Sequence, residues 1–187
     1  MEIKVNIQST PNPNALKFVL NVPAKSGSNC TYTNKEQCGD NALAEAIFSL
    51  NDAIREVYFF DNYITVTQNG TLGWNTIKDT IKSTILEKIN DHNPDFEGPT
   101  GASSQPTAST GNTDLDKINA ILDETIRPYL QRDGGDLQVV SYEDKNVTIS
   151  YQGACGSCPG ARMGTLLAIQ RILQEKFDPE VMVSMAD

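Results

Sequence analysis

Residues 93–113 read NPDFEGPTGASSQPTASTGNT. The stretch is dense in Gly, Pro, Ser and Thr and nearly empty of large apolar side chains. Such a segment cannot bury enough surface to offset the entropy of ordering it, so it is expected to be a flexible linker. It splits the 187-residue chain into residues 1–92 and 114–187, two small but foldable units. Working outward from it, each side carries its own apolar periodicity.

Upstream, Ile3-Lys4-Val5-Asn6-Ile7 alternates and predicts a strand. Thr10-Pro11-Asn12-Pro13-Asn14 predicts a turn, and Ala15 to Leu20 a second strand paired with the first. Residues 23–40 show no period and read as a polar loop. Ala42, Leu43, Ala46, Ile47 and Leu50 fall at helical spacing. Ile54 to Phe60, a turn at Asp61-Asn62 and Tyr63 to Thr67 read as a hairpin. Ile77, Ile81, Ile85 and Ile89 mark a second amphipathic helix beginning near Trp74. That stripe is a core face, not a cofactor box. The predicted order is ββαββα, an antiparallel sheet covered by helices.

Downstream, Leu115, Ile118, Ile121, Leu122, Ile126 and Leu130 form one apolar helical face starting at Asp114. Arg132-Asp133-Gly134-Gly135-Asp136 reads as a helix cap leading into a strand rather than an anion nest. Leu137–Tyr142 and Val147–Tyr151 flank a solvated turn, a helix runs from about Ala161 to Lys176, and Val181-Met182-Val183 closes the chain as a strand. The order αββαβ makes a second compact unit. The fold class is therefore α+β, in two small domains: 1–92, linker 93–113, and 114–187.

Composition narrows the function. No apolar run reaches the roughly 18 residues that cross a bilayer, so no spanning helix is expected. Met1 to Val5 has neither the basic-then-apolar pattern of a secretory signal nor transit-peptide character, and the expected location is the cytoplasm. Lys and Arg number 15 against 24 Asp and Glu, a net charge of −9, with the acidic excess concentrated after residue 114. Nucleic acid needs a concentrated basic patch, which is absent, so it is excluded as a partner.

The chemistry rests on Cys155 and Cys158. Their two-residue gap lets both sulfurs turn toward one point, between a predicted strand and a helix with Pro159 near its start. Unpaired amides at a helix start favour thiolates, and Arg162 adds positive charge. A CxxC supplies two sulfurs, whereas zinc sites and iron–sulfur clusters take four ligands. Three completions follow: the same pair from a second protomer, an intrachain site with Cys30 and Cys38, or no metal and a dithiol–disulfide cycle. Soft sulfur ligands select zinc or iron–sulfur over magnesium or calcium. Cys30 and Cys38, far off in a loop, read as incidental. His92, the one histidine, reads as a solvated helix-end residue, which leaves no Cys–His nucleophile pair.

Two separated motifs, Arg127-Pro128-Tyr129-Leu130-Gln131-Arg132-Asp133-Gly134-Gly135-Asp136 and Gln152-Gly153-Ala154-Cys155-Gly156-Ser157-Cys158-Pro159, resemble the NifU C-terminal domain across roughly residues 114–185. Thr10 to Phe18, Val57 to Phe60 and Ile64 to Thr67 resemble the Nfu N-terminal domain. Together they look like a two-domain Nfu-type iron–sulfur carrier. The resemblance implies a non-enzymatic protein that binds a [4Fe–4S] cluster between two protomers, each giving Cys155 and Cys158, with a [2Fe–2S] form open. It implies a homodimer when loaded, cluster donors upstream and apo-protein clients downstream, with the linker freeing the first domain to engage clients. The segment Gly160-Ala161-Arg162-Met163-Gly164-Thr165 departs from the serines and threonines frequent in relatives, and residues 24–40 look longer than the loop expected there. The rivals are a thiol–disulfide redox protein and a zinc-binding interaction module.

Overall fold

A computed structural model describes residues 2–39, 41–99, 103–104, 113–156 and 159–186, except for the side chains of 103–104, 113 and 159–162. Both halves are α+β. In the first, strands β1 (Val5–Ser9), β2 (Ala15–Leu20), β3 (Lys25–Tyr32), β4 (Ile54–Asp61), β5 (Tyr63–Gln68) and a two-residue β6 (Ser103–Ser104) form one antiparallel sheet in the order β1-β2-β5-β4-β3-β6. Helices α1 (Ala42–Phe48) and α2 (Trp74–Lys88) pack on one face.

Strand alternation gives this sheet two different faces. Across the register Cys30, Phe59, Ile64, Phe18 and Ile7 form one row. Those residues face the helices and pack with Ile47, Ile77, Ile81 and Ile85 in the apolar core. The neighbouring row, Thr31, Tyr58, Thr65 and Lys17, lies on the opposite face. An outward polar row on an antiparallel sheet ordinarily meets water. Here Tyr58 and Thr65 are fully buried, because the second domain covers them.

The structure adds two strands to the expected ββαββα order, β3 and the two-residue β6. Residues 25–32, read as loop, are β3. Its glycine takes a left-handed conformation (Gly27, φ 73°), and the register shifts between Lys25 and Cys30. That bulge breaks the apolar alternation that would have announced the strand. The first part of the expected linker is also packed. Pro94 accepts the Ser26 N–H at 2.8 Å. The Phe96 ring stacks on Tyr32 with centroids 6.2 Å apart and meets Phe59 edge-on at 5.5 Å. Residues 100–102 and 105–112 of that stretch lie outside the described residues.

In the second half α3 (Thr113–Thr125) and α4 (Arg127–Arg132) precede the hairpin β7 (Gly135–Glu143) and β8 (Asn146–Gly153); α5 (Pro159–Lys176) then crosses to β9 (Met182–Met185), which pairs with β8 in parallel. The single helix expected from Asp114 to Leu130 is two. Pro128 has no N–H to donate to the carbonyl four residues back, so the helix breaks at Ile126. Asp144 and Lys145 both take positive φ (47° and 63°), the two-residue hairpin turn whose twist suits the strands. Ile118, Leu122, Leu137, Val147, Ile149, Ile169 and Leu173 make a second, separate core.

Candidate functional site

Cys155 sits on the bend between β8 and α5. Gly156 N–H closes the bend on the Gly153 carbonyl at 3.1 Å, and Ala154 N–H ties it to the Gly134 carbonyl at 3.1 Å. Gly135 and Gly153 face each other at the end of the β7–β8 ladder. A Cβ at Gly135 would fall 2.5 Å from Cys155 Sγ and 2.8 Å from its backbone nitrogen. The thiol therefore lies in space that only a glycine leaves open. At Gly153, φ is +63° and a Cβ would meet the Gly134 carbonyl at 2.6 Å, so glycine is required twice over. The two motifs far apart in sequence are one object: Gly134 and Gly135 form the floor under the cysteine bend.

Cys155 is partly exposed and packs at the margin of the second core. Cys158 lies outside the described residues, as does the Arg162 side chain. The α5 helix begins at Pro159, so the bend does lead into a helix N-terminus, where free amides favour thiolates. Among the described residues, no group of three or more His, Cys, Asp and Glu side chains is placed to hold a metal ion.

Cys30 and Cys38 are core residues rather than incidental loop residues, 1 % and 3 % exposed. Burial pushes both thiols up to about 11, far from thiolate character at neutral pH. Cys30 points to the helix-covered face, while the second domain lies on the other face. The sheet thus stands between Cys30 and Cys155, so among the described cysteines these two do not converge on one site. His92 is likewise not a solvated helix end. It is partly buried, with Nε2 2.7 Å from the Ala24 carbonyl and its ring stacked on Phe59 at 5.8 Å. Burial lowers its basicity.

Sequence reasoning missed the groups of the first domain that border the bend. Glu56 on β4 accepts the Gly153 N–H. Asn12 Nδ2 donates to the Ala154 carbonyl at 2.9 Å. Thr65 Oγ1 donates to the Gly134 carbonyl at 2.7 Å, and Lys17 Nζ to those of Gln131 and Arg132 at 3.0 and 3.2 Å. Lys17 thereby caps the end of α4 while lying 3.8 Å above the Tyr63 ring. Asp136, 2 % exposed, accepts from Asn29 at 2.9 Å and Gln131 at 3.2 Å, with Arg127 Nε 3.6 Å away. Burial raises the Asp136 carboxyl, and it pushes that of Glu56 up to about 7. The signal for this surface was the alternation Glu56, Tyr58, Phe60 on β4 and Tyr63, Thr65, Thr67 on β5, polar and aromatic residues on one face.

Comparison with known proteins follows the same division. The model of the Nfu/NifU scaffold protein N terminus matches residues 5–92, and that of the NifU-like domain matches residues 118–184. The human protein named NFU1 iron-sulfur cluster scaffold homolog, mitochondrial, is 32 % identical over 182 residues, spanning 95 % of this chain and 69 % of that protein. NifU-like protein 4, mitochondrial, of Arabidopsis thaliana is 27 % identical over 173 residues, spanning 90 % of this chain and 61 % of that protein. The solution NMR structure of a NifU-like protein from Saccharomyces cerevisiae matches 48 % of this chain and 80 % of its own at 23 % identity, with a TM-score of 0.43. Both named relatives are mitochondrial by name, which overturns the cytoplasmic expectation. That expectation rested on the character of residues 1–5, and with the chain spanning only part of its relatives' length those residues decide no compartment.

Proposed function

The chain belongs to the Nfu-type family of two-domain scaffold proteins, and from that membership we propose that it carries iron–sulfur clusters, in the mitochondrial setting its relatives' names give, rather than catalysing a reaction. The domains are taken as 1–92 and 114–187. Cys155 and Cys158 of two copies hold one [4Fe–4S] cluster, the protein's cargo, through four thiolates. The observation that carries this reading is the cysteine bend itself. It presents a soft donor, partly exposed, at a helix start. The CxxC gives two sulfurs, and the same pair from another copy brings the set to the four thiolates a cluster takes.

The donor chemistry fits a cargo that must also leave. Thiolates on a bend shared between chains can be replaced one at a time by incoming thiolates of an apo-protein client, each new iron–sulfur bond compensating for the one lost. Met163 and Leu167, each 58 % exposed on α5 just past the bend, offer a second copy apolar surface to meet. A loaded pair is favoured by mass action, so cluster and dimer rise together. The redox rival finds no support in the topology, since the second domain opens with two helices and a hairpin rather than a βαβ unit.

The test is anaerobic reconstitution with iron and sulfide, followed by metal and sulfide analysis and mass determination in solution. The expected result is a brown dimer with about two irons per chain, lost when Cys155 and Cys158 are both replaced by serine. About four irons per monomeric chain, stoichiometric zinc in a colourless protein, or equal loading of wild type and the double variant would each refute it.

A further inference from the structure

We propose that the polar face of the first domain's sheet is a removable cover for the Gly153–Gly156 bend, competing with a second copy of the chain for that bend, so that cluster loading requires the two domains to part. The inference rests on the shared-cluster reading above and adds to it the surface that governs access.

The contacts are directed at the bend and its floor. Glu56, Asn12, Thr65 and Lys17 bond Gly153, Ala154, Gly134 and the end of α4. The space beside Gly153 is bounded by Tyr58 Cδ1 at 3.1 Å, and that beside Gly156 by Glu56 Oε2 at 3.3 Å. The flank of the cysteine bend is therefore occupied by first-domain atoms, and a second copy reaching Cys155 from that side would have to displace them.

The same interface is built to separate. Three buried polar atoms of the first domain, Asn29 Oδ1, Thr31 Oγ1 and Thr67 Oγ1, have no hydrogen-bond partner among the described residues. All three belong to residues on the face turned to the second domain. Buried unpaired groups cost free energy that hydration returns when the surfaces part. Each domain keeps its own apolar core, so parting breaks neither. A permanent interface would be apolar and satisfied; this one is polar and partly unsatisfied.

The test uses the full chain, metal-free and reduced, treated with iodoacetamide and read by peptide mass mapping so that Cys155 is scored separately. Thr65→Arg places a bulky cation on the covered face without touching the core, and Glu56→Ala removes the acceptor of the Gly153 N–H. Alkylation of Cys155 and the rate of cluster loading are both expected to rise about tenfold. If Thr65→Arg fails to fold by circular dichroism, Glu56→Ala decides alone. Rates within about twofold of wild type overturn the cover, and faster alkylation with unchanged loading overturns the competition. Iron content at saturation is a separate readout. About two irons per chain in wild type and variants sustains the shared-cluster reading whatever the rates. No iron in any of them refutes that reading, while the alkylation rates, which need no iron, still judge the cover.

Discussion

Gly135→Ala isolates the role of the glycine floor. The added methyl would lie 2.5 Å from Cys155 Sγ, 2.7 Å from the Gln152 carbonyl oxygen and 2.8 Å from the Cys155 nitrogen. The sulfur could swing aside, but the other two atoms are backbone, and the backbone there is pinned. Gly135 pairs with Gly153, and Ala154 N–H is bonded to the Gly134 carbonyl. Relief therefore requires the end of the β7–β8 ladder to open. Overpacking of a tight site costs about 1–3 kcal/mol, and each backbone hydrogen bond given up adds about 1 kcal/mol. A loss of roughly 2–4 kcal/mol follows, together with a displaced Cys155. The assay is urea unfolding of metal-free protein, with the slope checked for two-state behaviour, alongside iron per chain after anaerobic reconstitution. The expected variant is both less stable and poorly loaded. An unchanged midpoint with unchanged iron would refute the argument that the thiol depends on the absent side chain.

Gly164→Ala is the converse: a Cβ there meets nothing within 4 Å, so the exposed helix position should gain about 0.5–1 kcal/mol, read as a higher urea midpoint. Cys30→Ser should lose about 1–3 kcal/mol by burying a hydroxyl at a 1 % exposed site, yet leave iron per chain unchanged. Glu56 should print a pH dependence on stability. Its carboxyl sits at about 7 when folded against 4.5 ordinarily, so between those values the folded chain retains a proton that the unfolded chain has released. Stability from this group is thus full below 4.5, falls as pH rises through that window, and is flat above it. Allowing for the partial exposure of the side chain, the fall is about 2 kcal/mol, and Glu56→Gln should abolish it when unfolding is compared at pH 5 and pH 8.

The elements legible in the sequence were those with a clean period. The isoleucine stripe of α2, the hairpin around Asp61-Asn62 and the glycine cap at 134–135 all stand where spacing put them. β3 was hidden because its inward positions are Cys30 and Tyr32 and its bulge carries Gly27. Phe96 was the one large apolar side chain in a polar stretch, too few to outweigh composition, yet it packs on the first core. The cysteine bend was visible as a motif, but its dependence on Gly135 was not, since cross-strand contact at that range has no local signature. Least legible was the burial of Tyr58, Tyr63 and Thr65. Local pattern gives which residues share a face and says nothing of a neighbour supplied from beyond residue 113.

Strand β5 has no side turned to water. All six of its residues are buried, Ile64 and Val66 against helices, Tyr63, Thr65 and Thr67 beneath the other domain. A saturation scan of this strand should therefore show two interleaved tolerance profiles. Changes at the aliphatic sites would be lethal in any length of polypeptide. Changes at the alternate sites would be constrained only while residues 114–187 remain attached, and would turn permissive once that half is cut away.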